Sequence, residues 1–187
     1  MKLWKTLSRN VILNYNKYLS VESHTVELPN GRIISEWPWV VAPDYVNIVP
    51  VTEDGKFVCF QQTKYSVKGL SLAPVGGYIE PGESPLAAAQ RELFEETGYQ
   101  APEWVYLGDY PVDGNRGVGT AYFFLARDAR RVSAPNADDL EEQELFIISR
   151  AAMELAVSSN EFKLLPWVAI VALALLHLDR EDGGFNG

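Results

Sequence analysis

Residues Gly77–Tyr99 read GYIEPGESPLAAAQRELFEETGY, and the spacing inside this stretch governs the rest of the reading. Gly77 is followed after five residues by Glu83, and after seven more by Arg91-Glu92-Leu93-Phe94-Glu95-Glu96-Thr97-Gly98-Tyr99. Ser84-Pro85 is a helix start, because serine caps the first turn and proline fits the first helical position, where its missing N–H costs nothing. Gly98 is a natural stop, since glycine most easily takes the left-handed conformation after a last turn. A helix of roughly four turns is expected between them. At about 100° per residue, Leu86, Ala87, Leu93 and Phe94 share one side, and Glu92, Glu95 and Glu96 fall almost opposite. The expectation is an apolar side that docks the helix and carboxylates that face a cleft.

Glu92 and Glu96 are a like-charge i, i+4 pair with no lysine in the helix to relieve them, which costs an isolated helix about 0.2–0.5 kcal/mol. A hard divalent cation removes that cost, because Mg²⁺ takes oxygen ligands and binds through one or two carboxylates plus substrate phosphate. The bland alternative is a solvated acidic face. The full spacing, Arg91, and the Pro74-Val75-Gly76-Gly77 loop in front favour the metal reading. Glycine there lets the backbone approach a metal and a diphosphate closely.

Gly77, Glu83, Arg91, Glu92, Glu95, Glu96 and Gly98 at these offsets resemble the Nudix box of the Nudix hydrolases. The resemblance implies an α/β fold, an α/β/α sandwich with a mixed sheet, in which the Ser84–Thr97 segment is the catalytic helix. It implies Mg²⁺ or Mn²⁺ as cofactor, with Glu92 and Glu96 as metal ligands and Glu95 as a third carboxylate that shares the metal. The Gly76 carbonyl would complete a metal site. Arg91 and Glu83 would orient the carboxylates, and Gly77 would lie against the substrate. Tyr99 stands where the box usually has an aliphatic residue, a departure that concerns packing. In relatives that cleave ADP-ribose, the general base is a Glu from a downstream loop. The acidic loop Asp138-Asp139-Leu140-Glu141-Glu142-Gln143-Glu144 lies in the matching place, which makes Glu141 and Glu142 the candidates.

Composition sets outer bounds. A chain of 187 residues with 47% hydrophobic and 12% aromatic content suits one ordinary domain with a real core. The net charge of −9 and a pI near 4.7 disfavour nucleic acid and anionic membrane, whose binding rests on Lys and Arg. A phosphate substrate stays open, because bound metal reverses the local field. The only cysteine, Cys59, sits in an apolar run and is expected to be a buried thiol, which fits a reducing cytoplasm. No signal-peptide core opens the chain, and the longest apolar run, Leu164–Leu176, is interrupted by Pro166 and too short to span a bilayer. His24 and His177 match no metal spacing and are expected to be structural.

Along the chain, Ser20–Leu28 and Arg32–Val41 read as strands across the Pro29-Asn30-Gly31 turn. Asp44–Pro50, Lys56–Gln62, Trp104–Tyr110, Thr120–Ala126 and Leu145–Ile148 read as further strands. Ala151–Val157 reads as a short helix, and Glu161–Leu178 as a long one. Three regions follow: an N-terminal β extension over residues 1–45, a catalytic domain over 46–180, and a tail over 181–187.

Outside the box, three features resemble the ADP-ribose and ADP-sugar pyrophosphatases: the N-terminal extension, Gln61-Gln62-Thr63-Lys64-Tyr65, and Gly108-Asp109-Tyr110-Pro111. The resemblance implies hydrolysis of a nucleoside diphosphate linked to a sugar, giving a nucleoside monophosphate and a sugar phosphate, with Lys64 among the substrate contacts. It also implies a homodimer, because in those relatives the extension swaps between protomers and helps bind adenine. Two stretches depart from the group: Val112–Thr120 lacks its usual Pro-Gly, Ser and acidic run, and Trp37-Pro38-Trp39 replaces basic residues. Asn115 and Arg116 offer a phosphate or sugar contact, or a plain surface. Trp37, Trp39 and Tyr18 offer a face for a base, or packing in the core or dimer. Two alternatives remain: a nucleoside triphosphate pyrophosphohydrolase, against which the extension argues, and a non-catalytic ADP-ribose-binding module, against which the complete set of box glutamates argues. RNA decapping is disfavoured by the acidic charge.

Overall fold

The computed structural model describes residues 1–135 and 142–183. In chain order the strands and helices are β1 (Lys5–Tyr15), β2 (Leu19–Glu27), β3 (Ile33–Val41), β4 (Tyr45–Thr52), β5 (Phe57–Gln62), β6 (Ser71–Ala73), β7 (Val75–Tyr78), α1 (Pro85–Thr97), β8 (Tyr99–Gln100), β9 (Glu103–Asp113), β10 (Gly117–Arg131), β11 (Gln143–Ile148), α2 (Arg150–Ser158) and α3 (Leu165–Asp182). They fall into two compact units. One takes Met1–Asp44 and Tyr110–Ala121; the other takes Tyr45–Asp109 and the chain from Tyr122 onward.

In the first unit β1, β2 and β3 form an antiparallel meander, with Arg9 opposite His24 and His24 opposite Trp37. The β2–β3 turn closes as its composition predicts: the Gly31 N–H donates to the Leu28 carbonyl at 2.9 Å with φ at 84°. The start of β10 joins this sheet in parallel, Gly117 pairing Val40. The sequence reading expects two strands here, and the structure has three. Strand β1 escapes pattern analysis because its register shifts at Thr6/Ser8 and Val11/Leu13, which breaks the period-two alternation. All its residues are exposed, so no buried face marks it.

In the second unit β4 pairs antiparallel with β7 (Asn47 opposite Gly76, Val46 opposite Gly77) and with β5, and β5 pairs with β6 and β11. Helix α1 packs on β4 and β7, α3 packs on β4, and α2 packs on α3. The core between them includes Val46, Ile48, Phe57, Val75, Leu93 and Ile170. This is the α/β arrangement that the sequence reading expects. Cys59 is buried, and burial pushes its thiol pKa up to about 12. No helix among the described residues is long and apolar enough to cross a membrane.

Local signals place α1 closely. The Ser84 hydroxyl accepts the Ala87 N–H at 3.2 Å, Pro85 opens the helix, and Gly98 closes it at φ 73° with its N–H on the Phe94 carbonyl at 2.8 Å. The docked face differs from the expected one. The buried residues are Ala88, Ala89, Leu93 and Thr97, whereas Leu86 and Phe94 are exposed. Glu92 and Glu96, each partly buried, share the stripe of positions 88, 89, 92, 93, 96 and 97. These two carboxylates therefore lie within the inward face. The strand beneath carries Gly76 and Gly77, which leave room for them.

Candidate active site

Arg91 organises the site from the middle of α1. Its Nε and Nη2 donate to the two Glu83 oxygens, each at 2.9 Å, and its Nη1 donates to Glu92 at 2.7 Å and to Glu95 at 3.2 Å. Nη2 also reaches the Tyr78 carbonyl at 3.0 Å, which ties the helix to the end of β7. The fork-shaped pairing suits arginine and not lysine. The pairing with Glu83, followed by that with Glu92 and Glu95, holds the guanidinium firmly charged despite partial burial. In return Arg91 holds the Glu83 carboxyl below its ordinary range, aided by the Glu80 N–H at 3.1 Å.

The glycine loop meets the carboxylates directly. The Gly76 N–H donates to Glu96 Oε2 at 3.2 Å. A Cβ added at Gly77 would fall inside contact distance of the Glu92 carboxylate, so the cradle exists only because residue 77 has no side chain. Glu95 is half exposed and turns to Arg91. Among the described residues no three His, Cys, Asp or Glu side chains form a ready-made metal cage. The donors that do line the loop are oxygens, two carboxylates and backbone, which suits a hard divalent ion that completes its shell with water and phosphate.

Trp37 and Arg116, with Pro38 and Asn115, line a cleft of about 250 Å³ in the first unit. The Trp37 indole N–H donates to the Asn115 carbonyl at 2.7 Å, and Trp4 packs edge-on against the Trp37 ring at 5.2 Å. Asp113 shapes the loop by accepting the Asn115 and Arg116 N–H groups at 2.7 and 2.8 Å, which lowers its own pKa. The Arg116 side chain is 57% exposed. Trp39 is not in that cleft: it stacks on His24 at 5.3 Å, and a Cβ at Gly117 would stand 2.6 Å from its ring. His24 bonds Glu22 at 2.7 Å, and His177 lies 3.2 Å from Glu181. Lys64 sits in the turn after β5, where its carbonyl accepts the Val67 N–H at 2.8 Å. Glu142 is exposed just before β11, and Gln143 and Glu144 belong to that strand and not to a loop. Glu141 lies outside the described residues, as does the end of the tail from 184. Sequence reasoning missed Asn47, whose one signal is an amide inside the apolar run Tyr45–Val51.

The fold, and a capped helix that sets glutamates against a double glycine, define the class. The Nudix domain model matches residues 42–168, and the model of the nucleoside diphosphate sugar hydrolase N-terminal domain matches residues 4–40. The chain belongs to the Nudix family and is a hydrolase of that family. Such hydrolases generally use divalent metal ions.

Individual relatives refine the comparison. The chain is 28% identical over 157 residues to the ADP-ribose pyrophosphatase of Bacillus subtilis, covering 84% of this chain and 83% of that one. It is 25% identical over 177 residues to the methanol dehydrogenase activator of Bacillus methanolicus, covering 94% of each. It is 32% identical over 109 residues to the ADP compounds hydrolase NudE of Escherichia coli, covering 55% of this chain and 58% of the relative. A crystal structure of an ADP compounds hydrolase superposes with a TM-score of 0.81 at 22% identity, covering 98% of this chain and 97% of that one, and so shares its fold.

Proposed function

We propose that this protein hydrolyses the diphosphate of a nucleoside diphosphate linked to a sugar, ADP-ribose or a related sugar nucleotide, with Mg²⁺ or Mn²⁺, to a nucleoside monophosphate and a sugar phosphate. The carrying observation is the placement of Glu92 and Glu96 against the Gly76–Gly77 step, with Arg91 fixing the ring of carboxylates. The N-terminal domain match and the ADP-ribose pyrophosphatase relative support the sugar-nucleotide class.

In this reading Glu92, Glu96 and the Gly76 carbonyl would hold the metal, and Glu95 would add a further carboxylate. A divalent ion held there would supply charge neutralisation at the phosphate oxygens and would make the attacking water more acidic. Arg91 keeps the carboxylates charged and aimed, with Glu83 as its counter-anchor. Gly77 leaves the backbone open to the diphosphate. Glu142 or Glu141 takes the proton of the attacking water, as its oxygen bonds phosphorus and the bridging P–O bond breaks. Arg116 and Trp37 are the nucleotide contacts proposed within their own cleft in the first unit, and Lys64 contributes a positive charge.

Metal-stripped protein incubated with ADP-ribose, ADP-glucose, UDP-glucose, GDP-mannose, diadenosine polyphosphates and dNTPs, with and without Mg²⁺, tests the proposal by product chromatography. The expected products from ADP-ribose are AMP and ribose phosphate, formed only with metal. Faster turnover of a dNTP than of any sugar nucleotide would overturn the substrate class, and turnover in chelator would overturn the metal role.

The homodimer belongs to the same proposal. Strand β1 exposes Leu7, Val11, Ile12, Leu13 and Tyr15, apolar surface that a second protomer would cover. Light scattering should give twice the chain mass at micromolar concentration, and a monomer there would overturn the dimer. A reducing compartment, the cytoplasm, suits a chain whose one cysteine is buried. Cell fractionation checks this placement.

A further inference from the structure

The Gly76–Gly77 step is enclosed by polar side chains on both faces of β7. Gly77 presents its Cα to the Glu92 carboxylate. Gly76, its neighbour in an alternating strand, presents its Cα the other way, to Asn47 on β4, which is its register partner. A Cβ at Gly76 would fall inside contact distance of the Val46 carbonyl oxygen, and would stand 2.7 Å from Asn47 Nδ2 and 3.1 Å from Asn47 Cα. The Val46 carbonyl and the Asn47 amide together occupy the space that a side chain at residue 76 would need, and the amide is the part that belongs to a side chain.

Asn47 is 4% exposed, and its Oδ1 has no hydrogen-bond partner among the described residues. Its strand neighbours Val46, Ile48 and Val49 are buried apolar residues, so an apolar residue at 47 would avoid the desolvation cost that the amide carries. A buried polar group left unsatisfied in a native core calls for an explanation other than stability.

We infer that Asn47 is a positioning residue for the carboxylate site, acting through Gly76. The inference rests on the metal-dependent reading above. Gly76 holds Glu96 through its N–H at 3.2 Å. Glycine has the widest backbone freedom of any residue, so a glycine that must hold a partner at fixed distance needs a wall. The Val46 carbonyl and the Asn47 amide form the wall on the face where Gly76 has no side chain, and Glu92 closes the neighbouring face at Gly77. Removing the amide opens the side-chain part of that wall, which gives the Gly76 peptide room to shift and loosens its hydrogen bond to Glu96. Asn47 itself touches neither substrate nor metal.

The test is Mn²⁺ binding by full-length protein without substrate, read by electron paramagnetic resonance, together with thermal melting in EDTA. Asn47→Ala should bind Mn²⁺ about tenfold more weakly, the lower end of what losing an orienting group costs a metal site. Its metal-free melting temperature should be unchanged or higher, because an unsatisfied amide has been removed. Asn47→Ser, smaller than asparagine and with a hydroxyl that can bond nearby backbone, also opens this space, should behave alike and replaces the alanine variant if that does not fold. Mn²⁺ affinity equal to wild type in a folded variant, or a lowered metal-free melting temperature as plain core packing would give, overturns the role of Asn47 and leaves the metal site standing. Wild-type protein that fails to bind Mn²⁺ overturns the metal reading and this inference with it.

Discussion

Arg91 and Glu83, eight residues apart, are joined by two parallel N–H···O bonds of 2.9 Å each. The pair fixes the guanidinium in one plane, from which its remaining N–H groups reach Glu92, Glu95 and the Tyr78 carbonyl. Arg91→Lys keeps the charge and loses the fork. It should lower kcat about 10–100-fold while leaving the melting temperature nearly unchanged, because the loss falls on the aim of the carboxylates. Steady-state kinetics with equal activity in the lysine variant would remove the organising role.

The same pair has a pH signature. Arg91 depresses the Glu83 pKa below its ordinary value of 4.5 in the folded protein. The stability this contributes is fully present above the unfolded value and is lost as pH falls through the lower folded value. Chemical denaturation between neutral pH and the acid side of 4.5 should show wild type losing stability more steeply than Glu83→Gln in that acid window. Parallel curves for the two proteins would contradict the coupling.

Glu96→Gln keeps the shape of the side chain and removes its charge. Activity should fall about a thousand-fold, the equivalent of several kcal/mol of lost transition-state stabilisation, with the circular dichroism spectrum intact. Near-normal turnover in excess Mg²⁺ would refute the metal-ligand assignment of Glu96.

Gly77→Ala puts a Cβ into the Glu92 carboxylate. The helix must shift or Glu92 must turn away, and a misplacement of the order of 1 Å costs about 100-fold in rate. The prediction is a kcat loss of that size, measured beside a control substitution at Gly114, where an added Cβ meets nothing. Equal kinetics for the two variants would show that the cradle is not used.

Arg116→Ala removes a cation from the cleft that Trp37 lines. The KM for sugar nucleotides should rise about tenfold, as expected for a lost charged hydrogen bond, while the metal half-saturation stays put. A KM unchanged for every sugar nucleotide would move substrate contacts away from this cleft.

Cys59 has its thiol pKa raised to about 12 by burial, so almost no thiolate exists near neutral pH. Iodoacetamide should leave the native protein unmodified and alkylate it once in denaturant, as read by mass spectrometry. Rapid labelling of native protein would contradict the burial.

The sequence by itself determined the limits of α1, because capping is local chemistry: Ser84, Pro85 and Gly98 act on the turns next to them. It also determined the family, because the box spacing lies within one loop and one helix. It did not determine which face of α1 turns inward. A helical wheel ranks sides by hydrophobicity and sends Leu86 and Phe94 to the core, yet both are exposed. Glu92 and Glu96 dock in their place because the facing strand offers Gly76 and Gly77, which supply room and an N–H donor that only the packed structure brings within reach. Distance along the chain hid the rest. Trp37 meets the Asn115 carbonyl across 78 residues, and Asn47 meets Gly76 across a strand pairing that no periodicity announces. Strand β1 needed its partner to be visible, since a bulged, fully exposed edge carries no alternation of its own.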